Sequence, residues 1–431
     1  MTDQIHSEPS QETKDVPGVT GSLASLNTHL AHHLDKLKSL GPSLTEALHH
    51  DHLLPDREDL RLAARAIDLL HELRMLLEPP VLILADHFLG YVRSKCLATV
   101  VERGIADELE KGPRTLNQLA RATHAREDRL VQVMRMLYSE GIFAFDSSTG
   151  CYSNNAASSL VRSHHWTQWH NWATLYGNQF YDIARGIPSS VKEDAIRTAA
   201  QIHFDTDKDM FHFFREQGWL PELHRTLSGG ASAQMPGILE DYPWYEVAET
   251  LVMDVGGGGG GFMAGLLRKY PTMQGGIFDL APVINHVRPF FHQGGQYSDI
   301  GDRVSGNLVT GDFFKSVPIC SIYTMKWCLH DWDDNQATAI LRNIRESIVL
   351  EPGSRLIILE SVVSSEHSNR LSLYGDINMM MTAGGRERTI EQWENLARVS
   401  GWRLDKVWDL RRAWVKAIDF RPAFKDGKVE Y

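Results

Sequence analysis

The chain has little cysteine: four residues among 431, at Cys96, Cys151, Cys320 and Cys328. None stands in C-x-x-C spacing, so reduced thiols in a cytoplasmic protein are expected. Long hydrophobic runs are missing. A membrane-spanning helix needs roughly 18 or more consecutive apolar residues. The apolar stretch from Pro80 to Ala85 falls far short, and no membrane partner is expected. Basic excess is also absent. A formal net charge of −11 argues against nucleic acid or an anionic membrane as partner. Residues Met1 to Ser7 lack the charged and apolar parts of a secretion signal. His32-His33 and His49-His50-x-His52 have no cysteine or acidic geometry to support a metal, so they read as solvated helix faces and no metal is expected.

What is abundant is glycine, in one place. An apolar run from Thr250 to Val255 carries a single acid, Asp254, and then meets six consecutive glycines, Gly256 to Gly261. The apolar segment Phe262 to Leu267 follows. That order reads as buried strand, tight turn and helix. Glycine is needed where the backbone takes unusual dihedrals and a ligand approaches closely, and helix N-terminal amides then face that ligand. A nucleoside-containing cofactor is the expectation. Gly256, Gly258 and Gly261 satisfy the dinucleotide pattern G-x-G-x-x-G, but six glycines in a row make that match nearly automatic. The alternative pattern is Asp254-x-Gly256-x-Gly258-x-Gly260. An acid there suits a cofactor with a cationic amino-acid end and would repel a pyrophosphate. Asp279, closing the next apolar piece, can accept both ribose hydroxyls of either cofactor class.

The pattern Asp254-x-Gly256-x-Gly258-x-Gly260 resembles motif I of class I S-adenosylmethionine-dependent methyltransferases. Four later segments extend the likeness: Val309 to Phe314, Lys326-Trp327-x-x-His330-Asp331-Trp332, Arg355 to Glu360, and Gly385-Arg386-Glu387-Arg388-Thr389. In this order they resemble the caffeate-type small-molecule O-methyltransferases, in their fungal secondary-metabolite branch, over residues 80 to 420. The resemblance implies S-adenosyl-L-methionine bound by Asp254, Gly256, Gly258, Gly260 and Asp279. It places adenine against Asp312 and Phe313, and Lys326 near the cofactor. It makes His330 the general base, flanked by Glu360 and Glu387. The residue types suit that chemistry. Methyl transfer from sulfonium to oxygen needs a hydroxyl that loses its proton, and a histidine titrating near neutrality can take it. A neighbouring carboxylate holds the tautomer. No metal enters this scheme. The expected acceptor is a small aromatic or enolic molecule. A second reading stays open: the same fold binding the cofactor but running a dehydration or pericyclic reaction.

The organisation along the chain is expected as follows. Residues 1–20 form a disordered tail and residues 21–78 a helical extension, with apolar Leu60, Ala63, Ala66, Leu69, Leu70 and Leu73 at helical spacing. Residues 79–160 form a winged helix. One helix is predicted over Leu82 to Arg103, an N-cap at Thr115, another helix over Arg126 to Gly141, and a hairpin turning at Asp146 to Gly150. Helix-turn-helix with a wing suggests DNA binding, but Glu127, Asp128 and Glu140 sit on the presumptive reading helix; the resemblance implies a homodimerisation module instead. Residues 161–243, rich in aromatics, form a helical linker roofing the acceptor pocket. Residues 244–431 form the catalytic domain. The fold class is α/β: a doubly wound, Rossmann-like methyltransferase sheet of seven strands with an antiparallel last hairpin, behind an α-helical winged-helix-like dimerisation domain.

Overall fold

The computed structural model describes residues 18–425, 428 and 429. The expected tail therefore lies almost wholly outside the described residues, and helix α1 already begins at Val19. Residues up to Asp59 form one unit, holding α1 (Val19–Leu40) and α2 (Pro42–His49) with no buried residue in either helix. Gly41, at φ 48°, separates them.

The second unit begins at Leu60, inside α3 (Arg57–Leu77). The predicted helix over Leu82 to Arg103 is in fact two, α4 (Pro80–Phe88) and α5 (Gly90–Glu102), parted at Leu89. Gly90 opens α5; glycine is a poor interior helix former, and the break falls beside it. Then come α6 (Ile105–Glu110), strand β1 (Arg114–Thr115), α7 (Leu116–Ala122) and α8 (Glu127–Ser139). Thr115 caps α7 in a capping box with Gln118. Strands β2 (Ala144–Asp146) and β3 (Cys151–Ser153) make the wing, β3 pairing with both β2 and β1. Leu119, Leu130, Met134, Leu137 and Phe143 fill the core of this domain.

Helices α9 (Trp169–Gly177) and α10 (Leu220–Asp241) flank a run of shorter helices and lead to the sheet. The sheet strands are β4 (Leu251–Val255), β5 (Gln274–Asp279), β6 (Leu308–Thr310), β7 (Ile322–Lys326), β8 (Arg355–Glu360), β9 (Trp402–Trp408) and β10 (Lys416–Pro422). Their order is β6-β5-β4-β7-β8-β10-β9. The first five are mutually parallel; β10 runs antiparallel to β8 and β9. Two apolar layers, one holding Val252, Met263 and Leu359 and the other Met325, Ile340 and Ile358, pack the sheet. A parallel sheet covered on both faces has strands that are continuously apolar, as β8 is. The chain leaves β4 toward β5 on one side and returns to β7 on the other. Ligands bind such sheets outside the carboxyl ends of the strands at that switch point.

Three further helices matter for the site: α11 (Gly261–Lys269), α12 (Asp334–Ser347) and α13 (Leu371–Thr382). Ahead of α13, Asp68 on α3 accepts from the backbone N–H of Ser368 at 2.7 Å, and the rings of His71 and His367 stack at 3.8 Å.

Candidate active site

Every polar residue singled out for the cofactor stands at the carboxyl end of a parallel strand or in the loop just past one. After β4 the backbone takes positive φ at Gly256, Gly258 and Gly260, at 72°, 52° and 75°. Side chains are disfavoured there. Gly257 is needed for a different reason: a Cβ on it would stand 2.8 Å from Asp254 Oδ2. Gly258 and Gly259 have open space where a Cβ would point, which is the side left for a ligand. Asp279 shapes the turn from β5. Its Oδ2 accepts from Gly258 N–H at 2.9 Å and its Oδ1 from Leu280 N–H at 2.7 Å. Each carboxylate oxygen keeps a further lone pair for a hydroxyl. Burial raises the Asp279 carboxyl, while the two backbone hydrogen bonds oppose the rise.

Asp254 lies beneath the glycine turn. It is buried and accepts from Thr324 Oγ1 at 2.8 Å. Burial pushes its carboxyl up to about 7, against the Thr324 bond and the nearby Lys326. Lys326, ending β7, sits with its ammonium 4.2 Å from the Trp327 ring centre. Burial pushes that amine down to about 8, although Asp254 and Glu360 favour its charge. Trp327 takes φ 50°, a strained value for a non-glycine residue at the strand end. Beyond β6, Asp312 Oδ1 accepts from Phe314 N–H at 3.0 Å. The Phe313 ring meets Trp332 edge-on at 6.0 Å, and its Cε1 comes within 4.0 Å of where a Gly256 Cβ would lie. Phe313 and the glycine turn thus wall the same space.

The second cluster is built from three segments. His330 lies on a single 3₁₀ turn, Leu329–Asp331. Glu360, ending β8, is fully buried, and its Oε1 accepts from the N–H groups of Cys328 and Leu329 at 2.7 and 2.9 Å. Glu360 therefore holds the turn that carries His330. Its Oε2 lies 3.3 Å from His330 Nδ1. Glu387 Oε1 lies closer to the same nitrogen, at 2.9 Å, and its own N–H donates to Asp376 on α13. The glycine before it is dictated by contact: a Cβ on Gly385 would stand 1.9 Å from the His330 carbonyl oxygen, which accepts from Arg386 N–H. Arg388, fully buried, donates to the carbonyls of Leu329 and Trp332 and to Asp334. So the two specific motifs are stitched backbone to backbone. Helix α14 (Ile390–Val399) follows, with Thr389 as its cap.

Burial works against a charged His330, but the Glu360 charge, the hydrogen bond to Glu387 and the Asp331 charge outweigh it and push the imidazole up to about 10. Both carboxylates face the one ring nitrogen, Nδ1. Burial likewise pushes Glu360 up to about 7, against the His330 charge. The donor atoms of His330, Glu360 and Glu387 lie within 4.8 Å of one another, a spacing a divalent cation can also use.

Three contributors were not singled out by motif reading. Cys328 supplies the sulfur 3.0 Å from a would-be Gly256 Cβ; it sat inside the motif as an unspecified position. Asp376 holds Glu387 from another helix. Trp414, on the loop before β10, joins a file of rings: Trp327 at 5.7 Å, Trp172 at 4.7 Å, then Tyr176 and Phe180. The Tyr176 hydroxyl is pushed up by burial, against a hydrogen bond with Asn378 of α13. Phe204, Phe213, Phe214 and Trp219 pack on one another, and Phe214 meets Phe180 edge-on at 6.1 Å, so the file runs into this core. His164 pairs with Glu110, and buried His165 with Thr167.

A switch-point crevice with an acid under a glycine turn, an acid on the next strand and a braced histidine defines a methyltransferase-type site. Comparisons with known proteins agree. Residues 223–403 match the model of an O-methyltransferase domain and residues 85–163 that of an O-methyltransferase dimerisation domain. The O-methyltransferase aclM of Aspergillus oryzae is 53% identical over 412 residues, covering 94% of this chain and 95% of that protein. The O-methyltransferase gliM of Aspergillus fumigatus is 45% identical over 381 residues, 88% of each. Among solved structures, the S-adenosylhomocysteine-bound CalO1, a methyltransferase in calicheamicin biosynthesis, is 25% identical with a TM-score of 0.69, covering 80% of this chain and 98% of that one. The chain belongs to this O-methyltransferase family, and the enzyme is an O-methyltransferase.

Proposed function

We propose that the enzyme methylates a phenolic or enolic hydroxyl of a secondary metabolite, with His330 as the general base that takes the hydroxyl proton. The methyl donor is S-adenosylmethionine, which supplies, when bound, a methyl carbon on a sulfonium. The observation that carries the reading is the trio itself: one imidazole whose Nδ1 is held by Glu387 and Glu360 at 2.9 and 3.3 Å, next to the cofactor strands. Nδ1 committed in this way leaves Nε2 to meet the acceptor oxygen. Gly256, Gly258 and Gly260 hold the donor's amino-acid end over Asp254, and Asp279 takes the ribose hydroxyls. Asp312 and Phe313 hold adenine, and Lys326 backs the site. Positioning contributes much of the rate in such a displacement. The ring file from Trp327 to Phe180 suits a flat apolar acceptor.

Residues 79–160 serve dimerisation, and residues 161–243 roof the pocket. Val81, Leu84, Phe88 and Tyr91 are more than half exposed, which fits an apolar face covered by a second copy. Among the described residues no helix is long and apolar enough to cross a membrane. Four free thiols fit a reducing cytoplasm. The test is incubation of purified protein with labelled S-adenosylmethionine and candidate phenols and enols, read by mass spectrometry. A methylated product supports the reading. Cofactor-dependent isomerisation or dehydration of the acceptor without label transfer replaces it.

A further inference from the structure

We propose that Asn378 is a specificity-determining residue whose side-chain oxygen accepts a hydrogen bond from the acceptor. The donor is an N–H or O–H group other than the hydroxyl that is methylated. The class is therefore a flat phenol or enol with a second, donating polar group at its far end, such as a lactam N–H. This deepens the methyl-transfer reading and rests on it.

Position is the first part of the argument. Asn378 lies on α13, the helix that also meets the brace of His330. A Cβ on Gly375 would stand 3.3 Å from Glu387 Oε1. Asn378 follows three residues later, and helical residues so spaced are neighbours on one face. Its side chain is thus one turn along from the acid that bonds His330 Nδ1. Met381, of the same helix, shares a buried cluster with Leu175 and Phe180, which lays α13 against the end of the ring file. That file runs Trp327, Trp414, Trp172, Tyr176, with centres 5.7, 4.7 and 5.2 Å apart. A flat acceptor laid along these rings has its reacting hydroxyl at His330 and its other end at Asn378.

Hydrogen bonding is the second part. Asn378 Oδ1 is buried and has no partner. Buried polar groups are nearly always satisfied, and leaving one unpaired is costly. The amide's other end is engaged. Asn378 favours ionisation of the Tyr176 hydroxyl, the sign of an amide N–H donating to that oxygen. With the amide oriented in this way, Oδ1 presents lone pairs and no donor. The Trp172 N–H, also without a partner, lies against α10, its Nε1 3.3 Å from where a Cβ on Gly230 would stand. The rings hold the apolar body but cannot tell one flat molecule from another of the same shape. A buried carbonyl can, because an analogue that lacks the donor leaves it unpaired.

The test uses the full-length protein saturated with S-adenosylhomocysteine and two probes of one shape, 7-hydroxyquinolin-2-one and 7-hydroxycoumarin. They differ in a ring N–H against a ring oxygen. Ligand-observed NMR titration gives both dissociation constants. Wild type should bind the N–H probe about 10-fold more tightly. Asn378→Leu, close in volume but without the carbonyl, should abolish the preference. Tyr176→Phe keeps the ring and frees the amide to turn its N–H toward the ring oxygen, so it should lower the preference as well. Equal affinities in the wild type, or no binding of either probe, assign Asn378 Oδ1 to a water and overturn the proposal. A preference that survives Asn378→Leu overturns it too; if that variant does not fold, Tyr176→Phe decides in its place. Failure of methyl transfer to any acceptor is read separately, as absent S-adenosylhomocysteine production, so the two readings fail independently.

Discussion

Glu387 Oε1 sits 2.9 Å from His330 Nδ1, nearer than Glu360 Oε2 at 3.3 Å, though Glu360 is the acid that ends the adjoining strand. The two acids therefore divide the work. Glu387 bonds the ring, while Glu360 bonds the turn beneath it through Cys328 and Leu329 N–H. Glu360→Ala should cost about 2–4 kcal/mol of stability, since two buried N–H groups lose their acceptor. Glu387→Gln should cost less than about 1 kcal/mol while still lowering kcat, because the imidazole loses its nearer anion. Denaturant midpoints and turnover on both variants check this; equal stability losses would remove the division.

His330→Gln should lower turnover by about 10²–10⁴-fold, the usual loss when a proton-handling group is removed. Affinity for S-adenosylhomocysteine should stay unchanged, since the ring faces the acceptor. Steady-state kinetics with cofactor calorimetry separate the two quantities, and wild-type turnover in the variant would make His330 structural.

Asp279→Ala should weaken S-adenosylmethionine binding by about 1–3 kcal/mol. It removes the ribose acceptor and also frees Gly258 N–H, which Asp279 Oδ2 holds at 2.9 Å. Gly256→Ala should be at least as damaging, as its φ of 72° and the Cys328 sulfur both exclude a side chain. Isothermal titration reports both variants.

The folded protein holds His330 near 10 and Glu360 near 7, both above their ordinary values of 6.5 and 4.5. The folded state thus binds more protons than the unfolded one over those windows, and stability falls as pH rises through them. The Glu360 contribution is lost from about pH 4.5 to 7 and the His330 contribution from about pH 6.5 to 10. Melting midpoints of wild type and His330→Gln should therefore converge between pH 6.5 and 10. A constant gap would contradict the raised imidazole.

Chelation should leave turnover intact. The spacing of His330, Glu360 and Glu387 would admit a cation, but the protonated Nδ1 already fills that place. Loss of activity in EDTA, restored by a divalent metal, would show the opposite.

Much of this was readable beforehand because the parallel strands and their turns are local. Val255 to Gly261 declares strand, turn and helix within a few residues, and the crevice follows from strand order. The same holds for the Thr389 cap, where side chain and backbone partner are three residues apart. What was not readable depends on distant approach. The break at Leu89 is a small local choice between α4 and α5 that periodicity passes over. The precedence of Glu387 over Glu360 at His330 and the arrival of Trp414 beside Trp327 arise only once β8, β10 and the segment before α14 are side by side. Charge coupling between residues 57 positions apart leaves no trace in spacing.

The contacts of α3 with residues 367 and 368 tie that helix to the segment leading into α13. Asp68 and His71 grip the chain just ahead of α13, and α13 carries Asp376, which accepts from the N–H of Glu387. A strain on α3 therefore reaches Glu387 and the His330 ring it bonds, although α3 lies ahead of the segment that matches a dimerisation domain.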